Sequence, residues 1–196
     1  KLKKFLQVGS SEEYGLERPP LIENKRESPH TVYAASKVAS THFLQMLNRS
    51  EGFPVTIIRL FLVFGPKQKN NRIIPYLIKN CLNNLSFNVS SGKQMRDFLY
   101  IDDTLDAIFL ALKSRKSNGQ IYNLGSGKAT SIIYLVNLIK DILEGGKPKF
   151  GGYTSPRPEN KKLVANIDKI KRDLKWNPKT NLQKGLEKTI KYHNGK

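Results

Sequence analysis

The sequence predicts an α/β fold with parallel strands, on three observations. Residues 54–64 (PVTIIRLFLVF) are β-branched and almost wholly apolar, the pattern of a strand covered on both faces. Strand-like and helix-like segments alternate along the chain, as they do when helices cross over between parallel strands. Residues 132–143 (IIYLVNLIKDIL) carry apolar side chains at helical spacing and stop at Gly145-Gly146, where glycine can adopt the left-handed cap.

The elements follow in order. Residues 2–9 (LKKFLQVG) form a short apolar stretch ending in glycine and read as a buried strand. Residues 10–29 are a polar loop, because Pro19-Pro20 and Pro29 forbid a helix through it. Residues 32–47 are a helix whose predicted apolar face is Val38, Phe43, Leu44 and Leu47. The strand at 54–64 ends at Gly65-Pro66, and a helix spans 73–82. After a strand at 98–101, Asp102-Asp103 are read as caps of an apolar helix at 105–112. A short strand at 121–124 precedes Thr130 or Ser131, one of which caps the helix at 132–143. Residues 145–158 are a Gly/Pro-rich loop, followed by helices near 167–174 and 182–193.

Composition narrows the classes. The 196 residues carry 34 Lys+Arg against 16 Asp+Glu, a formal +18. Lysine outnumbers arginine 25 to 9 and the charge is spread along the chain, whereas nucleic-acid binders concentrate it beside stacking aromatics. No nucleic-acid partner is expected; the excess charge suits anionic small molecules. No apolar run approaches the ~20 residues of a bilayer span, so a membrane protein is excluded. The single cysteine, Cys81, excludes a disulfide framework, and a cytoplasmic setting is expected. The three histidines lack metal-ligand spacing, so no metal is expected. The chain opens on Lys1, not methionine, and is expected to be cut from something longer.

Two sequence features bear on chemistry. Gly125-Ser126-Gly127-Lys128 superficially suggests a phosphate loop, but Tyr122 and Ala129 occupy the places that need glycine and Ser/Thr. It reads as a plain turn between strand and helix. Tyr33 and Lys37 stand four apart on a predicted helix and so share a face. A tyrosine titrates near pH ~10, and an ammonium one turn away stabilises the phenolate, making a general acid–base device. The spacing alone is not diagnostic, since Tyr192 and Lys196 repeat it. Its context is more specific: the strand at 2–9 runs into Ser10-Ser11-Glu12-Glu13-Tyr14-Gly15, and side chains leaving the carboxyl end of a parallel strand sit where such sheets bind ligands.

Here the chain resembles the extended short-chain dehydrogenase/reductases, specifically the NAD-dependent nucleotide-sugar epimerases and dehydratases, through nearly its whole length. VGSSEEYG resembles the strand-end segment with the catalytic Ser/Thr, which falls on Ser10. SPHTVYAASKVAS resembles the tyrosine–lysine helix and gives Tyr33 and Lys37. RLFLVFGPKQ resembles the next strand, whose aromatic, here Phe61, approaches the nicotinamide. SGKQMRDFLYIDD is similar to the segment whose arginine, here Arg96, binds the sugar-nucleotide diphosphate. In the C-terminal substrate region Arg157 takes the second phosphate place. Ser11, Arg72 and Phe87 are implied as further substrate contacts, and Glu12 stands where dehydratases carry a catalytic glutamate. Two positions depart from the family: Leu62 replaces an asparagine that holds substrate, and Phe64 replaces a common tyrosine.

The resemblance implies the C-terminal portion of a doubly wound Rossmann-type parallel sheet with a small substrate-binding lobe. Residues 1–125 would be mainly the catalytic part of an incomplete NAD-binding domain, with a substrate-loop insertion at about 66–95, and 126–196 mainly the lobe. It implies a nucleotide-diphosphate-sugar substrate, NAD (or NADP) as cofactor, a 4-keto sugar intermediate, and a homodimer through the Tyr33 helix by way of Val38, Phe43 and Met46. A 4-keto-6-deoxy-sugar reductase on the same scaffold is the alternative. No G-x-G-x-x-G turn occurs in these residues, so the isolated chain is expected to be inactive or a non-enzymatic binding remnant.

Overall fold

The computed structural model describes residues 2–154, 158 and 160–194. Three parallel strands, β1 (Phe5–Ser10), β2 (Val55–Leu60) and β7 (Gln120–Leu124), form the main sheet in the order β1-β2-β7. Their register pairs Ser10 with Leu60 and Leu60 with Leu124, so all three strands finish at one level.

Helices cover both faces. α1 (Val32–Glu51) lies on one side, where Leu44 packs on Val55, Ile57 and Ile121. On the other side α3 (Ile101–Lys113) and α5 (Asp168–Leu174) bury Ile58, Tyr122 and Leu124 under Ala107, Ala111, Ile170 and Leu174. This is the doubly wound arrangement, and it explains why β2 is apolar on both faces.

The run at 54–64 is divided. At Phe61 the chain leaves the main sheet, its N–H still donating to Leu124 O at 2.9 Å, and Leu62 N–H then bonds Asp97 O at 3.1 Å. Residues Leu62–Phe64 become β3, paired in parallel with β6 (Phe98–Tyr100). An apolar run reports burial, not which neighbour each residue pairs with.

A second core gathers around α2 (Ile73–Leu82), α4 (Ile132–Leu143) and α6 (Leu182–Asn194). Leu77 and Ile78 meet Leu135, Val136 and Ile139 there, with Leu186 and Ile190. Strand β4 (Ser86–Val89) pairs in parallel with β9 (Lys147–Phe150). The stretch expected as a loop therefore contains a strand. Small antiparallel and parallel pairs, β8 (Thr130–Ser131) and β10 (Lys162–Leu163) on either side of β5 (Met95–Arg96), tie the two cores together. The segment read as an insertion within 1–125 thus shares its core with residues beyond 126.

Two local readings change, and a third is resolved. Asp102 and Asp103 do not cap α3: its N-cap is Tyr100, and both carboxylates lie in the first turn. Asp103 instead accepts the Thr180 N–H at 2.8 Å, while its carbonyl accepts the indole N–H of buried Trp176 at 3.1 Å. Phe43 is 57% exposed, outside the core face of α1 that Leu44 supplies. Ser131, not Thr130, caps α4, accepting the Tyr134 N–H at 3.1 Å. Among the described residues no helix is long and apolar enough to cross a membrane.

Candidate active site

The site is built on the end of β1. Ser10 caps a 3₁₀ turn (Ser11–Tyr14): its Oγ accepts the Glu12 N–H at 3.1 Å, and the Glu13 carboxylate accepts the Ser10 N–H at 2.9 Å. This is the reciprocal capping box, and it faces Ser10 out of the sheet with its hydroxyl proton uncommitted among the described residues. Glycine is required at position 9, since a Cβ there would stand 2.5 Å from Glu13 Oε1.

Thr31 starts α1 by accepting the Ala34 N–H at 3.0 Å, which places Tyr33 in the first turn, 52% exposed. Lys37 follows one turn later. Its ammonium donates to Val8 O at 2.9 Å and lies 5.6 Å from the Tyr33 ring centroid. The carbonyl anchor on β1 holds the cation beside the phenol, within the reach at which cation and ring attract. The Tyr33 hydroxyl makes no hydrogen bond among the described residues.

A cavity of about 990 Å³ opens here, lined by Ser10, Ser11, Glu12, Tyr33, Phe61 and Arg72 among others. Six of the expected site residues are therefore brought together. Phe61 reaches it from the break between β2 and β3, and Arg72 from the N-cap of α2. Leu62 and Phe64, the two departures from the family, also line it.

Other expected residues sit elsewhere. Phe87 is a core residue, 5% exposed, whose ring meets Tyr76 edge-on at 5.9 Å between centroids. Its position on β4 alternates inward with Val89, so the strand's own pleat turns it from the cavity. Arg96 is half-buried on β5 and donates to Met95 O and Asn160 O at 2.9 and 2.8 Å. It does not line the cavity wall. Arg157 lies outside the described residues, as does Lys196.

Sequence reasoning missed the buried polar layer behind the site. Arg59, inside the apolar β2, is fully buried; its Nε donates to Glu13 Oε2 at 2.9 Å and its Nη2 to Glu27 Oε1. Its guanidinium lies 4.7 Å from the Tyr14 ring centroid, and Tyr14 donates to Asn123 at 2.8 Å. Burial alone would depress the guanidinium pKa, but Tyr14 and Glu13 more than offset it and the net shift is upward. Thr41 also donates to Glu13 Oε2, at 3.0 Å. One carboxylate thus receives Arg59 and Thr41 on one oxygen and the Ser10 backbone on the other. Nothing in the sequence flagged this, because one arginine in an apolar run carries no periodic signal.

The phosphate-loop look-alike is likewise filled from within. Ser126 N–H and Oγ–H both donate to Asp97 Oδ1 at 2.6 Å, and the N–H groups of Gly127 and Ala165 donate to Oδ2 at 2.9 and 3.1 Å. The turn is an anion nest whose anion is the neighbour of Arg96. Burial raises the Asp97 pKa, and the four donors oppose that rise. The cavity also takes Gln68, Asn71 and Tyr153, which the sequence reading did not single out.

The NAD dependent epimerase/dehydratase family matches residues 1–125. The chain is 31% identical over 194 residues to an uncharacterized UDP-glucose epimerase, YtcB, of Bacillus subtilis, covering 97% of this chain and 60% of that protein. It is 32% identical over 201 residues to the human dTDP-D-glucose 4,6-dehydratase, covering 98% and 57%. Among solved structures, the UDP-glucuronic acid 4-epimerase of Bacillus cereus, in complex with UDP-glucuronic acid and NAD, superposes with a TM-score of 0.92 at 28% identity, covering 100% of this chain and 62% of that one. The chain thus spans about three fifths of the length of the curated relatives it matches. With the family model covering well over half of these residues, the chain belongs to the NAD-dependent epimerase/dehydratase family.

Proposed function

We propose that the cavity binds a nucleotide-diphosphate sugar and that Tyr33 is the acid–base group of an epimerase or dehydratase working through a 4-keto sugar. One observation carries this reading: Ser10 and Tyr33 share the cavity at the carboxyl end of β1, with the Lys37 ammonium beside the Tyr33 ring. The relatives' names and bound molecules support the substrate class.

The residues present fit a nicotinamide cofactor. Lys37 offers a fixed cation, Tyr33 an uncommitted hydroxyl, and Phe61 an apolar wall at the strand end where parallel sheets take ligands. When bound, NAD supplies the hydride acceptor that oxidises a sugar carbon and the donor that reverses it. Tyr33 Oη takes and returns the hydroxyl proton of that carbon. Lys37 stabilises the phenolate by proximity. Ser10 Oγ donates to the same sugar oxygen, its own acceptor side being occupied by the Glu12 N–H. In this reading Glu12, which is exposed and lines the cavity, removes a proton next to the keto group. Arg72 meets the diphosphate as a charge-assisted donor. Arg96 joins it only if its side chain turns from Asn160 O.

The stripe Phe43 and Met46 on α1, 57% and 41% exposed, supports pairing with a second copy. The test is calorimetry with UDP-glucose, UDP-glucuronate and dTDP-glucose, with product analysis in the presence of NAD. Tyr33→Phe is expected to keep affinity within about two-fold and to lose roughly 10²–10⁴-fold of any turnover the wild type shows. A chain that binds none of the sugars refutes the reading. Stoichiometric consumption of reduced cofactor redirects it to a reductase.

A further inference from the structure

The stripe of α1 that carries Tyr33 continues into the protein. Tyr33, Lys37 and Thr41 stand at i, i+4 and i+8 on one face of the helix. Tyr33 lines the cavity, Lys37 donates to Val8 O on β1 at 2.9 Å, and Thr41 donates to Glu13 Oε2 at 3.0 Å. The lysine tie is a point charge on a flexible four-carbon stem and leaves the helix some slack. The second tie is stiffer, because Thr41 and Glu13 are both wholly buried and a β-branched side chain has few rotamers.

The other oxygen of that carboxylate accepts the Ser10 N–H at 2.9 Å, and Arg59 on β2 donates to Oε2, also at 2.9 Å. The end of β1, the middle of β2 and the catalytic face of α1 therefore meet on one group. Hydrogen bonds to an ionised acceptor are short and directional, so three of them leave the carboxylate no freedom to turn. A buried ion pair adds little net stability, since desolvation offsets its Coulombic gain; what this one supplies is fixed geometry. Glu13 does not line the cavity, whereas Ser10 and Tyr33 do. We propose that Glu13 is a positioning residue, locking Ser10 to α1 so that Ser10 Oγ and Tyr33 Oη address the same sugar oxygen. This deepens the nucleotide-sugar reading and rests on it.

The test uses the full chain and calorimetry with UDP-glucose and UDP, on wild type, Ser10→Ala, Glu13→Gln and the double variant. Trp176 fluorescence checks that each is folded. Each single substitution is expected to weaken UDP-glucose about five-fold, the size of one hydrogen bond, and to leave UDP within about two-fold. In the double variant the second substitution should add less than about two-fold, because the Ser10 contact is already lost. A Glu13 that only supports the fold would not couple to Ser10 in this way. Losses that multiply to about 25-fold, an unchanged UDP-glucose affinity in folded Glu13→Gln, or an equal loss for UDP each overturn the proposal.

If Glu13→Gln does not fold, the Thr41 arm decides. Thr41→Val keeps the shape without the hydroxyl and should weaken UDP-glucose about three-fold with UDP unchanged, while Thr41→Ser, which keeps the donor, should bind like wild type. Equal affinities in the two Thr41 variants overturn the link to α1, and the proposal with it. If wild type binds UDP but gains nothing from the sugar, this inference fails while a nucleotide site stands. If wild type binds neither, the nucleotide-sugar reading itself falls and takes this one with it.

Discussion

Replacing Arg59 by methionine tests the buried layer that holds Ser10. Arg59 and Glu13 are both wholly excluded from solvent and meet at 2.9 Å. Taking away one partner of such a pair leaves the other charge buried, which costs about 3–5 kcal/mol. Here Glu13 keeps two donors, Ser10 N–H and Thr41 Oγ–H, so the loss should fall at the lower end, about 3 kcal/mol. That is a large part of a domain's total stability of about 5–15 kcal/mol, and with a urea slope of about 1–3 kcal/mol/M it moves the midpoint down by about 1–3 M. Trp176 is the single tryptophan and is buried, so its fluorescence follows unfolding. Adding Glu13→Gln removes the stranded charge and should recover about half of the loss, a coupling that a double-mutant cycle reads directly. An Arg59→Met variant within ~0.5 kcal/mol of wild type, or a cycle without coupling, would refute the claim that this pair holds the layer together.

Two further outcomes follow from the same packing. Phe87→Ala should cost about 3–5 kcal/mol, the usual effect of emptying an aromatic site in a core, and leave UDP-sugar affinity in the still-folded protein within about two-fold; urea melts and calorimetry measure both, and a stable variant with weakened binding would return Phe87 to the cavity. Burial raises the Glu27 pKa, but hydrogen bonds and the Arg59 charge outweigh it and hold the group below its ordinary 4.5. A carboxyl depressed on folding adds stability above its unfolded value and loses it as pH falls through the folded one. The stability gap between wild type and Glu27→Gln should therefore be full at pH 7 and shrink progressively below about 4.5 in urea midpoints taken across pH. A gap that stays constant to pH 3 would exclude that linkage.

Much of this molecule was legible in its sequence. Helical periodicity placed α2 and α4 at their observed bounds, because amphipathic spacing is a local property. The strand-end serines and the Tyr33–Lys37 turn converge on one cavity for a similar reason: each lies within a few residues of an element end, so its direction is set locally. Pairing partners were beyond the sequence. That the apolar run at 54–64 serves two sheets depends on where Leu124 O and Asp97 O come to rest, and the strand at Lys147–Phe150 exists only because β4 offers an edge. Phe87 reads equally as a ligand contact or a core side chain until the pleat of β4 chooses.

Long-range polar satisfaction separates the two levels most sharply. Arg59 sits in a strand that hydrophobicity alone marks as dry, yet its charge is matched by glutamates 46 and 32 residues away in sequence. The turn at Gly125–Gly127 resembles an anion site and is one, but its anion comes from Asp97, about 30 residues earlier. Local chemistry wrote the helices, the strand ends and the tyrosine–lysine turn. Which buried charge meets which was set only when distant segments were brought within ~3 Å, since hydrogen bonds are short-ranged and directional.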